Sequence, residues 1–133
     1  LKAFSFLIAI ALFFPAVVVV PDAARSAPKL KGCLDSTNLR QAMSGRGNYM
    51  LFDRNDRSAN HDGPINIREK PSVRARVRYV AASRNPVDIL KQVAGEDGYC
   101  WLNVRVVTGQ STTQAVITVT GWVRGDLITT ASD

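Results

Sequence analysis

Apolar and polar positions alternate with period two through most of the chain beyond residue 48. Ile65 and Ile67 alternate with Asn66 and Arg68, and Val73, Ala75, Val77 and Tyr79 alternate with Arg74, Arg76 and Arg78. Further on, Cys100, Leu102, Val104 and Val106 share one face while Trp101, Asn103 and Arg105 share the other. Successive side chains of a strand point to opposite sides of a sheet, so each pattern predicts a half-buried β-strand. "YMLF" (Tyr49 to Phe52), "VDILKQV" (Val87 to Val93) and "AVITVTGWV" (Ala115 to Val123) are runs of strand formers that predict three more. Between them stand segments rich in Asn, Asp, Gly, Ser and Pro: the long "DRNDRSANHDGP", the Gly-bounded "AGEDGY" and the polar "TGQSTTQ". Only Asp35 to Met43 has helical character, with Asp35 or Ser36 as its cap and Gly45 past its end. Short strands separated by turns predict an all-β fold, a small barrel or sandwich. In such a barrel Ile65, Ile67, Val77, Ile89, Leu102, Val104 and Val123 are the inward, core positions by alternation.

The front of the chain follows another rule. Lys2 precedes an apolar run from Ala3 to Val20, and Ala24-Arg25-Ser26 is a small-x-small pattern, so residues 1–26 read as a cleaved export signal. An uncleaved anchor is the competing reading; it needs about 20 apolar residues, and this run is slightly short and carries Pro15. Removing residues 1–26, with Lys2, Asp22 and Arg25, from the 133-residue chain of formal charge +6 leaves 107 residues carrying +5. That is enough for one modest core. The expected organisation is a signal at 1–26, an N-terminal extension at 27–48 and one domain at 49–133, with no membrane span once the signal is removed.

Two cysteines, Cys33 and Cys100, remain after such cleavage. An exported chain, periplasmic or secreted, meets an oxidising compartment, so the two are expected to pair. "LKGC" at Leu30 to Cys33 has something of a lipid-attachment pattern, but Lys31 stands beside Gly32 and the apolar run ends at Val20, too far upstream.

Three segments together resemble bacterial SH3-like domains. "INIREKPS" (Ile65 to Ser72) resembles their opening Asn-x-Arg-x-x-Pro signature, "GYCWLNVRV" their central Gly-x-x-Trp-x-x-Val strand, and "GWVRGDLI" their closing Gly-Trp-Val segment. The three occur in the family's order, and the resemblance covers Tyr49 to Thr129. It implies a small SH3-like β-barrel and, as ligand class, cell-wall peptide or peptidoglycan. Two departures bear on loop shape: "AASRNP" stands where a Lys-Gly turn is common, and "TGQSTTQAVITVT" lengthens the hairpin before Trp122.

For Arg68 two readings stand. Asn66 and Arg68 point outward or along the rim, where they brace a neighbouring turn while Pro71, lacking an amide hydrogen, ends the strand. Alternatively Arg68 joins Tyr99, Trp101 and Arg124 as a ligand-binding rim, because half-exposed aromatics offer a large apolar face with a polar tip. Trp101 faces either a groove or the core, and Trp122 is expected to be mostly core. Six basic residues, Arg68, Lys70, Arg74, Arg76, Arg78 and Arg84, face the single acid Glu69 in this stretch. If the segment is extended, Arg74, Arg76 and Arg78 form a basic stripe, either a solvated face or an attractor of anionic polymers, lipid headgroups or acidic proteins.

Catalysis is not expected. His61 is the only histidine, and a Cys100–His61 dyad would need a cysteine that lies on an inward face and is expected to be oxidised. One His and two Cys do not fill a metal site, no phosphate loop is present, and no cofactor is implied. Nucleic acid is disfavoured as a partner by export and by the lack of aromatics among the arginines. The expectation is a non-catalytic exported binding module for cell-wall peptide or glycan. The alternative is a structural or interaction subunit that docks on another exported protein through a barrel edge or the basic stripe.

Overall fold

The computed structural model describes residues 27–58, 63–108 and 117–131. The expected export signal at 1–26, His61 and most of the long hairpin loop lie outside the described residues. The described chain is mostly β: one short helix and seven strands that pair antiparallel into a curled half-barrel.

The strands are β1 (Tyr49–Leu51), β2 (Pro64–Arg68), β3 (Val77–Ala82), β4 (Pro86–Ala94), β5 (Cys100–Thr108), β6 (Ile117–Arg124) and β7 (Ile128–Thr130). Their order across the sheet is β3-β2-β6-β5-β4-β1-β7, which leaves β3 and β7 at the edges. Leu51, Ile65, Ile67, Ile89, Leu102, Val104, Val106 and Val123 are the largest fully buried side chains and form the concave face. Each contributes about 1.5–3 kcal/mol by leaving water. Six of the seven positions expected in the core are there.

Val77 is the exception, 37% exposed. Ile65 pairs with Ala81 and Ile67 with Tyr79, but a bulge between Ile67 and Arg68 then sets Arg68 opposite Val77. The extra residue, Arg78, shifts the alternation by one, so Val77 sides with outward Arg68 instead of inward Ile67. The strand expected over 73–79 is also shorter: it begins at Val77, and 69–76 is a compact turn. Its bonds are Glu69 N–H to Arg76 O (3.0 Å), Ser72 N–H to Lys70 O (2.8 Å) and Ala75 N–H to Ser72 O (3.1 Å).

The helix α1 (Ser36–Met43) forms as expected. Asp35 caps it, its Oδ1 accepting from the Thr37 and Asn38 amides at 2.9 and 2.8 Å. Ala42 carries the helix into the core. The segment before α1 is bound to the sheet at three points. Lys31 forms a parallel bridge with Tyr99 (Lys31 N–H to Gly98 O, 3.0 Å; Cys100 N–H to Lys31 O, 2.8 Å). The Gln92 side chain brackets Leu34, accepting from its amide at 2.8 Å and donating to its carbonyl at 3.1 Å. Cys33 and Cys100 form the expected disulfide, with Cα atoms 5.0 Å apart across 67 positions of sequence. That bond suits an oxidising compartment, and among the described residues no helix is long and apolar enough to cross a membrane.

β7 has no counterpart in the sequence patterns. A 3-10 turn at Gly125–Leu127 follows β6, and the chain then runs antiparallel to β1 with Leu51 opposite Ile128. Three residues are too few to show a period. The turn before β4 takes a left-handed backbone at Arg84 (φ 67°), within the "AASRNP" segment that lacks a glycine.

Candidate functional site

The convex face of the sheet carries the residues of interest, because the pairing register places them side by side. Trp101 of β5 lies opposite Arg124 of β6, Asn103 opposite Trp122, and Trp122 opposite Arg68 of β2. Directly opposed residues project to the same side. The three segments singled out in the sequence therefore converge on one face, outside the core.

A cleft of about 190 Å³ opens there, lined by Asp53, Asn66, Arg68, Val73, Trp101 and Arg124, with Pro64, Ile65 and Leu127. Three of the four expected rim residues line it. Tyr99, the fourth, stands behind Arg124, whose guanidinium carbon lies 4.1 Å from the Tyr99 ring centroid; Lys31 Nζ lies 5.9 Å from the same centroid.

Trp101 is only 2% exposed, although its face of β5 is the one away from the core. The 95–98 turn covers it. Trp101 Nε1 donates to Asp97 Oδ1 at 3.1 Å, and Gly95 lies so close that a Cβ there would meet the indole ring. The ring is thus a fixed floor with its polar atom satisfied, not a mobile wall. Trp122, expected to be mostly core, is half-buried on the convex face.

The two arginines of the cleft are held differently. Arg124 binds Asp126 through two bonds, Nε to Oδ1 at 2.7 Å and Nη2 to Oδ2 at 2.8 Å. That hydrogen-bonded pairing, set against the opposing effect of partial burial, holds its pKa above the ordinary value. Arg68 donates from Nη1 to Ala75 O at 2.7 Å and so secures the 69–76 turn, as the turn-bracing reading has it. Asn66 beside it is exposed and lines the cleft.

The expected basic stripe is dispersed. Arg74 and Arg76 belong to the turn, and only Arg78 stands in a strand, its Nη1 donating to Thr120 O at 2.7 Å. Arg76 is paired with Glu69 (Nε to Oε1, 3.1 Å), and this bond, first among its charged neighbours, lowers the Glu69 pKa. The physical reason is the turn itself: period-two spacing makes a stripe only in extended chain.

Sequence reasoning missed Asp97, Asp126 and Val73. Asp97 lies four residues before Trp101 in a Gly-bounded turn, and Asp126 two residues after Arg124. A carboxylate that close to a strand-end Trp or Arg was the available signal for both. Cys100 carries no thiol, since its sulfur is bonded to Cys33. No protein-family model, curated protein or solved structure matches the chain.

Proposed function

We propose that this chain is an exported, periplasmic or secreted, non-catalytic binding module of the bacterial SH3-like kind, which recognises cell-wall peptide at the cleft floored by Trp101. One observation carries the reading. The Asn-x-Arg segment, the central Trp strand and the Gly-Trp-Val segment, which together resemble that family, contribute Asn66 and Arg68, Trp101, and Arg124 to a single cleft. Exposed Val73 beside the guanidinium groups suits a peptide, which needs an apolar contact area and donors for its carbonyl and carboxylate oxygens, while the buried Trp101 indole holds the floor rigid beneath them.

Retention of the purified disulfide-bonded protein on insoluble peptidoglycan, at low and at moderate salt, tests this. Asn66→Trp fills the cleft from an exposed strand position without removing a core contact, and retention is expected to fall at least tenfold in it. No retention of the unaltered protein at either salt would sink wall binding. Retention lost on adding salt, yet insensitive to Asn66→Trp, would transfer the activity to the exposed arginines, whose attraction is screened beyond about 8 Å.

The second reading, docking on another exported protein, is favoured by the β3 edge. That edge strand leaves Val77 and Val80 exposed, and strand edges template pairing with another chain.

A further inference from the structure

Two clefts meet at Val73, which is 50% exposed. The second, of about 290 Å³, lies between the 69–76 turn and the 95–98 turn and is lined by Pro71, Ser72, Val73, Arg74, Glu96 and Asp97. The charges along the pair differ in what already occupies them. Arg124 is engaged by Asp126 and stacked on Tyr99. Asp97 accepts from Trp101 Nε1 and from the Tyr99 amide at 3.3 Å. Arg68 spends Nη1 on the Ala75 carbonyl, and a guanidinium has five N–H donors, so most of its fork is unspent. Glu96 is exposed and enters no ion pair or side-chain hydrogen bond among the described residues.

We infer that the two clefts work as one groove for a peptide bearing both a carboxylate, taken by Arg68, and a primary ammonium group, taken by Glu96. This rests on the binding-module reading above and adds the charge pattern of the ligand. The planar guanidinium fork matches a carboxylate. The chain as a whole carries +6 and repels cations, so carboxylates that form no ion pair in the groove select an ammonium group there. Asp53, whose Oδ1 accepts from the Asn55 amide, lines the Arg68 cleft and is the competing seat for the ammonium, which the Glu96→Gln comparison separates. A neutral glycan laid along the same groove meets Arg68 and Glu96 with hydroxyl hydrogen bonds alone and brings no opposite charge to either, so charge-assisted pairing favours the peptide. Arg74 also lines the second cleft without pairing with Glu96, and it is the competing seat for the carboxylate.

The probe is acetyl-Ala-Ala-Lys-Ala with a free terminal carboxylate, compared with its Nε-acetyl-lysine form and its terminal amide, each titrated calorimetrically into the disulfide-bonded protein. Each cap is expected to weaken binding roughly threefold, the size of an exposed ion pair. The lysine cap should lose its effect in Glu96→Gln, and the amide should keep its effect in Arg74→Ala. Equal binding of capped and uncapped peptides overturns the inference, as does a lysine effect that survives in Glu96→Gln or an amide effect that vanishes in Arg74→Ala. Retention on peptidoglycan with no tetrapeptide binding overturns this inference alone. Failure to bind either peptidoglycan or peptide overturns the binding-module reading with it.

Discussion

Arg124 and Arg68 line the same cleft, yet the regions that carry them are built in opposite ways. Arg124 belongs to a rim in which every neighbour is committed. Asp126 takes its guanidinium, Tyr99 takes its flat face, and Tyr99 is bridged to Lys31 beside the Cys33–Cys100 bond. The backbones there are in close contact: a Cβ on Gly32 would come within 2.5 Å of the Asp126 nitrogen, and Gly32 itself sits at φ 68°. Arg68 ends β2 beside the eight-residue turn 69–76, which is held by short local bonds, carries exposed Val73 and Arg74, and leaves most of the Arg68 donors unspent. The same residue type is thus scaffold on one rim and a candidate contact on the other. The difference lies in how many of its donors the fold itself consumes.

The largest expected effect breaks the rigid rim. Replacing Cys33 by Ser and Cys100 by Ala releases a loop spanning 67 positions, and in the chain-entropy model this costs about 4 kcal/mol. Chemical denaturation of the double variant is expected to show a loss of that order. A loss below about 1 kcal/mol would mean that the Lys31–Tyr99 bridge holds the rim without the disulfide.

Next in size is the floor between the rims. Asp97→Ala leaves the buried Trp101 indole N–H without its acceptor and is expected to lower stability by about 1–3 kcal/mol. Asp97→Asn, which keeps an acceptor oxygen, should recover most of it. Thermal unfolding of the two variants side by side measures the difference, and equal losses would show that an acceptor oxygen alone does not account for the contribution of Asp97 and that its charge is required.

A smaller effect lies away from the cleft. Arg84→Gly relieves a left-handed backbone that costs an L-residue about 1–2 kcal/mol, against a glycine entropy penalty of about 0.5–1 kcal/mol. Asn tolerates this backbone better than Arg, so Arg84→Asn and Arg84→Gly compared by thermal unfolding separate the backbone strain from what the Arg84 side chain contributes. A gain in both shows that strain dominates, a loss in both that the side chain does.

The smallest effect belongs to the loose rim. Glu69 has its pKa lowered from the ordinary value of 4.5, chiefly by the bond from Arg76. A carboxyl lowered in the folded state adds stability that is present above its unfolded value and lost as pH falls through the folded one. The denaturation midpoint should therefore decline below about pH 4.5 more steeply in the unaltered protein than in Glu69→Gln. Added salt should shrink the gap, since both partners are at the surface.

The two regions were also unequally legible in the sequence. The alternation of Ile65 and Ile67, the inward face of β5 and the Asp35 cap are local patterns, and the fold keeps them. The disulfide followed from the cysteine count together with the export reading. Val77 could not be placed, because the bulge that turns it outward arises from pairing between two strands and leaves no mark in either alone. The arginine stripe failed for a related reason: alternation across 73–79 looks the same whether the chain is extended or, as here, coiled into a turn before Val77. Trp101 was assigned to the correct strand face, but alternation does not say whether that face is open. Its burial depends on Gly95 and Asp97 folding back over the ring. The partners of the charged groups, Asp126 for Arg124 and Glu69 for Arg76, became visible only with the side chains in place.

The most direct test is a magnetic-resonance titration that follows the indole N–H of Trp101, assigned by comparison with Trp122→Phe, as soluble wall peptide is added to the disulfide-bonded protein. The expected result is a saturable shift of the Trp101 signal that is lost in Asn66→Trp. A Trp101 signal that stays fixed while other resonances move to saturation would place the ligand elsewhere and contradict the cleft as the binding site.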